Sequence, residues 1–169
     1  MRAEAISFNL FYGGASPILE EGDKPVEIRD EKIVPVTEET PSFRNIFMKN
    51  IHVADSETAA FFMGLPETNL KNVSLENAVF ETKKGITTID TDGLILKNVK
   101  VVASDDYALT VYNSKNVKIS NFMFDQSKSK VKILGAKTDN IQLDKKDFTN
   151  FETQVLKAKE LSKKAVIAK

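Results

Sequence analysis

The chain contains no cysteine and a single histidine, His52, among its 169 residues. Without cysteine there are no disulfides and no thiolate metal sites, although the compartment stays open. His52 has no carboxylates at ligand spacing beside it, so it reads as a surface or corner residue and implies no metal site. No run of 18 apolar residues exists, so no helix is expected to cross a membrane and no membrane partner is expected. The N-terminus lacks the charged-then-apolar pattern of an export signal, because Glu4 interrupts it. Nor is there an excess of one charge, since 24 bases balance 24 acids. The distribution is uneven: residues 1–41 hold nine acids against four bases, and residues 128–169 hold eleven lysines against five acids. That basic tail lacks interleaved stacking aromatics and any recognised nucleic-acid motif, so it is read as a solvated face with no nucleic-acid partner. With 41% hydrophobic and 28% charged residues, the composition is that of one ordinary globular domain.

What the chain does contain is a repeated phrase. Asn45-Ile46-Phe47-Met48-Lys49-Asn50 is echoed by Asn72-Val73-Ser74-Leu75-Glu76-Asn77 and by Gly93-Leu94-Ile95-Leu96-Lys97-Asn98. It returns as Asn116-Val117-Lys118-Ile119-Ser120-Asn121, with a worn copy at Asn140-Ile141-Gln142-Leu143-Asp144-Lys145. Successive copies start 27, 21, 23 and 24 residues apart, while the distance within each phrase stays at five. Units this short cannot bury their own apolar face and must stack on their neighbours. Side chains alternate within each phrase, Val117 and Ile119 against Lys118 and Ser120, which is the period of a strand. Asparagine at equivalent corners predicts a ladder of side-chain amides bonded from coil to coil, and it tolerates the left-handed backbone of tight corners. The expected fold is an all-β parallel β-helix, whose coils lie ~4.8 Å apart.

Residues 1–146 are assigned to the coils. The excursion at 15–41 holds four of the five prolines and most of the acids. Beyond the coils, Phe148, Phe151, Val155, Ala158, Leu161, Ala165 and Ala168 recur every three or four residues, which predicts an amphipathic helix over 148–168. Thr149 and Glu152 offer it a capping box. Residues 147–169 are therefore expected to cap the distal end of the solenoid, where an open strand edge would invite aggregation.

Phe43-Arg44-Asn45-Ile46, Asn50-Ile51, Ala59-Ala60, Gly64-Leu65-Pro66-Glu67 and Leu70-Lys71-Asn72-Val73 together resemble the C-terminal coils of glycoside hydrolase family 28. These are the polygalacturonases and related pectin hydrolases. The strand from Ala5 to Tyr12 resembles a family strand that ends in a tyrosine ahead of a proline-rich loop, and the resemblance covers about residues 3–125. It implies a right-handed parallel β-helix of the pectin-lyase type, a parent that is secreted or periplasmic, and a pectic, anionic polysaccharide as partner. It also implies glycosidic hydrolysis with inversion, in which two carboxyls stand about 6.5–9.5 Å apart around a water. No cofactor is implied.

The family's catalytic motifs belong upstream of the matched segment, and its Gly-His-Gly and Arg-Ile-Lys occur nowhere in this chain. Ile89-Asp90-Thr91-Asp92-Gly93 with Asp105-Asp106 imitates the other two, Asn-Thr-Asp and Asp-Asp. Asp92 and Asp105 are 13 residues apart, however, well short of the 21–24 residue coil that places side chains on adjacent coils. His52 also precedes the pair, whereas the family's histidine follows it. No catalytic residue is assigned, and the chain alone is expected to be inactive. The resemblance makes Tyr12 the candidate substrate-binding residue, through its ring on a sugar face and its hydroxyl on sugar oxygens. Lys49 and Arg44 are further positions that could meet an anionic polymer.

The first reading is the C-terminal part of a polygalacturonase-like hydrolase. The alternative is a non-enzymatic β-solenoid that binds carbohydrate or serves as a scaffold, and the reading frame upstream of Met1 separates the two. A coil edge beneath residues 5–12 predicts association of two copies through the N-terminal end.

Overall fold

The computed structural model describes residues 4–10 and 33–169. The phrases become the strands of a parallel β-solenoid of about five turns. In chain order these are β1 (Glu4–Asn9), β2 (Arg44–Met63), β3 (Leu70–Ile89), β4 (Thr91–Ala103), β5 (Tyr107–Tyr112) and β6 (Lys115–Phe124). They are followed by β7 (Lys130–Leu134), β8 (Asp139–Leu143), a 3₁₀ turn (Lys145–Asp147), α1 (Phe151–Gln154), β9 (Val155–Lys157) and β10 (Val166–Ala168). Every pairing is parallel, coil upon coil.

Each coil has three faces. Face A begins at Asn45 in β2 and at Asn72 in β3; face B follows from Ile51 and Ala78; face C takes the end of β2 and β3 together with β1, β5, β7 and β9. Like stacks on like along the axis. On face A, Met48, Leu75, Leu96, Ile119 and Leu143 are in register, and on face B Val53, Phe80, Val101 and Phe124. On face C the stack runs Ile6, Ala60, Ile86, Leu109, Val131 and Val155. These inward rows form one continuous core.

The corners explain the asparagines. All eleven non-glycine residues with positive φ among the described residues are asparagine or aspartate, from Asn113 at 46° to Asn45 at 60°. These two side chains enter the left-handed region at least cost. At the corner between faces A and B, Asn77 donates to Asn50 (3.1 Å), Asn98 to Asn77 (2.9 Å) and Asn121 to Asn98 (2.8 Å). At the start of face A, Asn72 donates to Asn45 (3.1 Å) and Asn140 to Asn116 (2.7 Å). Gly93 interrupts that second ladder with φ 86°, and Asn116 instead donates to Asp92 Oδ1 at 2.7 Å.

The distal end departs from expectation. Residues 148–168 are not one amphipathic helix: α1 is a single turn of four residues, and β9 and β10 continue the solenoid beyond residue 146. The N-cap is Asn150, whose side chain accepts from Thr153 N, in place of the Thr149–Glu152 box. The physical reason lies in the last full coil, whose backbone edge requires hydrogen bonds that a helix laid across it could not give. Strands supply them, Val155 pairing with Val131 and Val166 with Ile141. Capping itself is retained. Phe148, Phe151, Val155 and Ala165 are buried, and Phe124, Phe148 and Phe151 form an edge-to-face chain.

The proximal end is built differently. β1 covers only face C of the first coil, pairing from Thr58 to Met63. Among the described residues, β2 pairs on faces A and B with β3 alone. Ile46, Met48, Ile51 and Val53 point inward yet stay half-buried, whereas Val73, Leu75, Ala78 and Phe80 behind them are fully buried.

Candidate functional site

Two surface regions gather polar and charged side chains. The first is a groove of about 550 Å³ along the corner between faces B and C, lined by Asp55, Glu81, Lys83, Asp125 and Lys128 among others. Its floor is a repeated turn: Ser56 Oγ donates to Thr58 O (3.0 Å), and one coil on Thr82 Oγ1 donates to Lys84 O (2.8 Å). Both of its lysines are ion-paired, Lys128 within the lining and Lys83 with Glu57 beside it. Lys83 Nζ lies 3.0 Å from Glu57, and Lys128 Nζ lies 3.6 Å from Asp125. The hydrogen bond and charge of Glu57 hold the Lys83 ammonium above its ordinary 10.5, with a smaller push from Asp55. The Ser127 hydroxyl (2.6 Å) and amide (3.1 Å) both donate to Asp125 and hold its carboxyl below the usual 3.8. A carboxylate stabilised in its charged form is a poor general acid.

The second region is the outer surface of face A. Its strands place Phe47, Ser74, Ile95, Lys118 and Gln142 in one row along the axis, and Lys49, Glu76, Lys97 and Ser120 in the next. With coils ~4.8 Å apart, the first row extends ~19 Å. Phe47 is 71% exposed and Ile95 39%. Lys49 is tied to Glu76 at 3.2 Å, but Lys97 and Lys118 are exposed and form no ion pair among the described residues. The surface is a flat sheet carrying apolar and cationic groups side by side.

Asp92, Asp105 and Asp106 are not brought together. Asp92 opens face A in register with Lys71 and Lys115, and it serves as a rung of the asparagine ladder. Asp105 and Asp106 lie in the turn after β4, at the far end of the same coil, where Asp105 N donates to Lys83 O and Lys130 N to Asp106 O. The 13-residue spacing thus separates them along one coil instead of stacking them on two. His52 is exposed on face B, in register with Val79; Lys49 stands on the outer side of face A, and Arg44 is exposed just before the corner at Asn45. Tyr12 lies outside the described residues, as does most of the 15–41 excursion. Among the described residues no group of three His, Cys, Asp or Glu side chains could hold a metal ion, and no helix is long and apolar enough to cross a membrane.

The groove is a region that sequence reasoning missed. Its residues come from four coils, and the available signal was their common place after the second asparagine corner. Compared with family models, curated proteins and solved structures, the chain finds no match.

Proposed function

We propose that this chain forms non-catalytic distal coils of a polygalacturonase-type β-helix and offers face A to a pectic, anionic polysaccharide. The observation that carries the reading is the placement of exposed Phe47 and Ile95 beside the ammonium groups of Lys97 and Lys118, which form no ion pair among the described residues. A uronic-acid polymer has apolar ring faces and regularly spaced carboxylates, and it needs both kinds of contact. The likeness to pectin hydrolases in residues 43–73 supports the choice of polymer. The separation of Asp92 from Asp105 and Asp106 supports a binding role over hydrolysis, since inversion needs two carboxyls flanking one water.

Affinity electrophoresis through polygalacturonate tests this. The expected result is retardation that weakens with salt, falls about tenfold or more in the double variant Lys97→Glu, Lys118→Glu, and is absent with neutral dextran. No reducing ends should be released. Equal retardation of the double variant would remove face A from the account, and release of reducing ends that stops in Asp92→Asn would make the chain an enzyme. A stand-alone carbohydrate-binding or scaffolding solenoid is the second reading, favoured by the groove, whose Lys83, Lys128 and Asp125 are held in ion pairs and whose Asp125 is stabilised in its charged form.

A further inference from the structure

The outward side chains of face A change character along the axis. In the row Phe47, Ser74, Ile95, Lys118 and Gln142, Phe47 and Ile95 supply apolar surface toward the proximal end. Ser74 between them is only 6% exposed, shaded by its larger neighbours. In the adjoining row, beside Phe47 and Ser74, Lys49 and Glu76 lie 3.2 Å apart and neutralise each other. The distal half is cationic. Lys97 and Lys118 stand on adjacent coils, and Lys169 reaches back over the row to donate from its ammonium to Gln142 Oε1 at 2.7 Å. None of these three forms an ion pair among the described residues. Asp144 nearby is held by Lys146 at 3.4 Å.

We propose that face A reads a boundary within the polymer: uncharged, esterified rings over Phe47 and Ile95, then rings with free carboxylates over Lys97, Lys118 and Lys169. This rests on the reading of face A as a uronic-acid site and adds the pattern of esterification and the direction of the chain. The polymer lies along the solenoid axis, because only that direction brings Phe47, Ile95 and Lys118 under one chain. Laid along β4 instead, it would meet only Ile95 and Lys97 between Gly93 and Asn98. A carboxylate placed over Phe47 would leave water beside an apolar ring, where Lys49 is already paired and Arg44 lies beyond the corner at Asn45. Desolvating a charge without a partner is costly. An ester at the same place carries no charge and adds a methyl group to the buried apolar area. Over the distal half the preference reverses, since a carboxylate gives an ammonium group an ion pair and an ester does not.

The test is affinity electrophoresis of the full chain through polygalacturonate that is wholly free, wholly methyl-esterified, or half-esterified either in blocks or at random. Charge alone would rank the wholly free polymer first. The expected order places the block polymer first, binding about fivefold or more tighter than the free or the random one, the gain of a ring stacked on an aromatic face. The wholly esterified polymer should not retard the chain. Phe47→Ala, at an exposed position, should remove the lead of the block polymer and leave binding to the free polymer unchanged. Lys97→Glu with Lys118→Glu should weaken binding to both. A free or random polymer that binds as tightly as the block polymer, or a lead that survives Phe47→Ala, would overturn the boundary. If the lysine variant is still weakened in that case, face A remains the polysaccharide site. Absence of retardation by every polymer, or equal retardation of the lysine variant, would overturn both.

Discussion

At the distal end, Val131 is paired with Val155 and Ile141 with Val166, so the last full coil has strands on both sides and a cluster of phenylalanines over its interior. At the proximal end, among the described residues, Arg44–Ala54 has a neighbour on one side only, and the two asparagine ladders stop at Asn45 and Asn50, whose side chains only accept. Among the described residues the same coil, built from the same phrase, thus has strands on both sides at one end and on one side only along two faces at the other. A solenoid gains stability from nearest-neighbour interfaces, so a residue's worth depends on its place along the axis more than on its type. Identical residues at the two ends should behave differently.

Phenylalanine gives the widest contrast. Phe151 is 7% exposed and packs on Phe148, whereas Phe47 is 71% exposed on face A. Phe151→Ala should cost about 3–5 kcal/mol, and Phe47→Ala should stay within about 0.5 kcal/mol. Urea denaturation of both variants measures the difference; similar losses would show that the outer surface of face A at Phe47 is covered like the distal cap.

Much of this was readable beforehand, and the failures have physical causes. The alternation in Val117–Ser120 and the five-residue distance between asparagines are local properties, so strands, inward rows and ladders followed from them. Of the seven residues in that spacing, Phe148, Phe151, Val155 and Ala165 are buried, but Ala158 and Leu161 are only half-buried, Ala168 is exposed, and the element is not a helix. Intervals of three and four arise equally from one helical turn followed by short strands and turns, and the deciding factor was the unpaired edge of β7 and β8, which sequence periodicity does not carry. The groove was illegible for a related reason: Asp55, Glu81, Lys83 and Asp125 meet through coil register, with no motif along the chain. The 21- to 24-residue coil did correctly keep Asp92 apart from Asp105 and Asp106.

The ladders sharpen the comparison at smaller magnitude. Asn98 donates to Asn77 and accepts from Asn121 with φ 54°, while Asn50, φ 58°, only accepts. Asn98→Ala should cost about 2–4 kcal/mol, combining two hydrogen bonds with a left-handed backbone that alanine resists. Asn50→Ala should cost about 1 kcal/mol less, the value of one bond. Asn98→Gly, which relieves the backbone and removes only the amide, should fall between wild type and Asn98→Ala. Equal effects at Asn98 and Asn50 would mean that Asn50 has a second partner.

The smallest effect is one of pH. The folded Asp125 carboxyl titrates below 3.8 because Ser127 donates to its charged form. A depressed carboxylate contributes stability that is present above the unfolded value and lost as pH falls through the folded one. Its side-chain carbon resonance should therefore titrate below the ordinary aspartate range, and Ser127→Ala should move the midpoint upward. An unchanged midpoint in Ser127→Ala would remove the hydroxyl as the cause.

The open edge is tested most directly by native-state hydrogen exchange on the free chain. Every second amide from Arg44 to Ala54 should exchange orders of magnitude faster than its neighbours, while amides of β3, β4 and β8 should be slow. Uniform slow exchange along Arg44–Ala54, matching that of β8, would contradict the account by showing that both ends of the solenoid are closed.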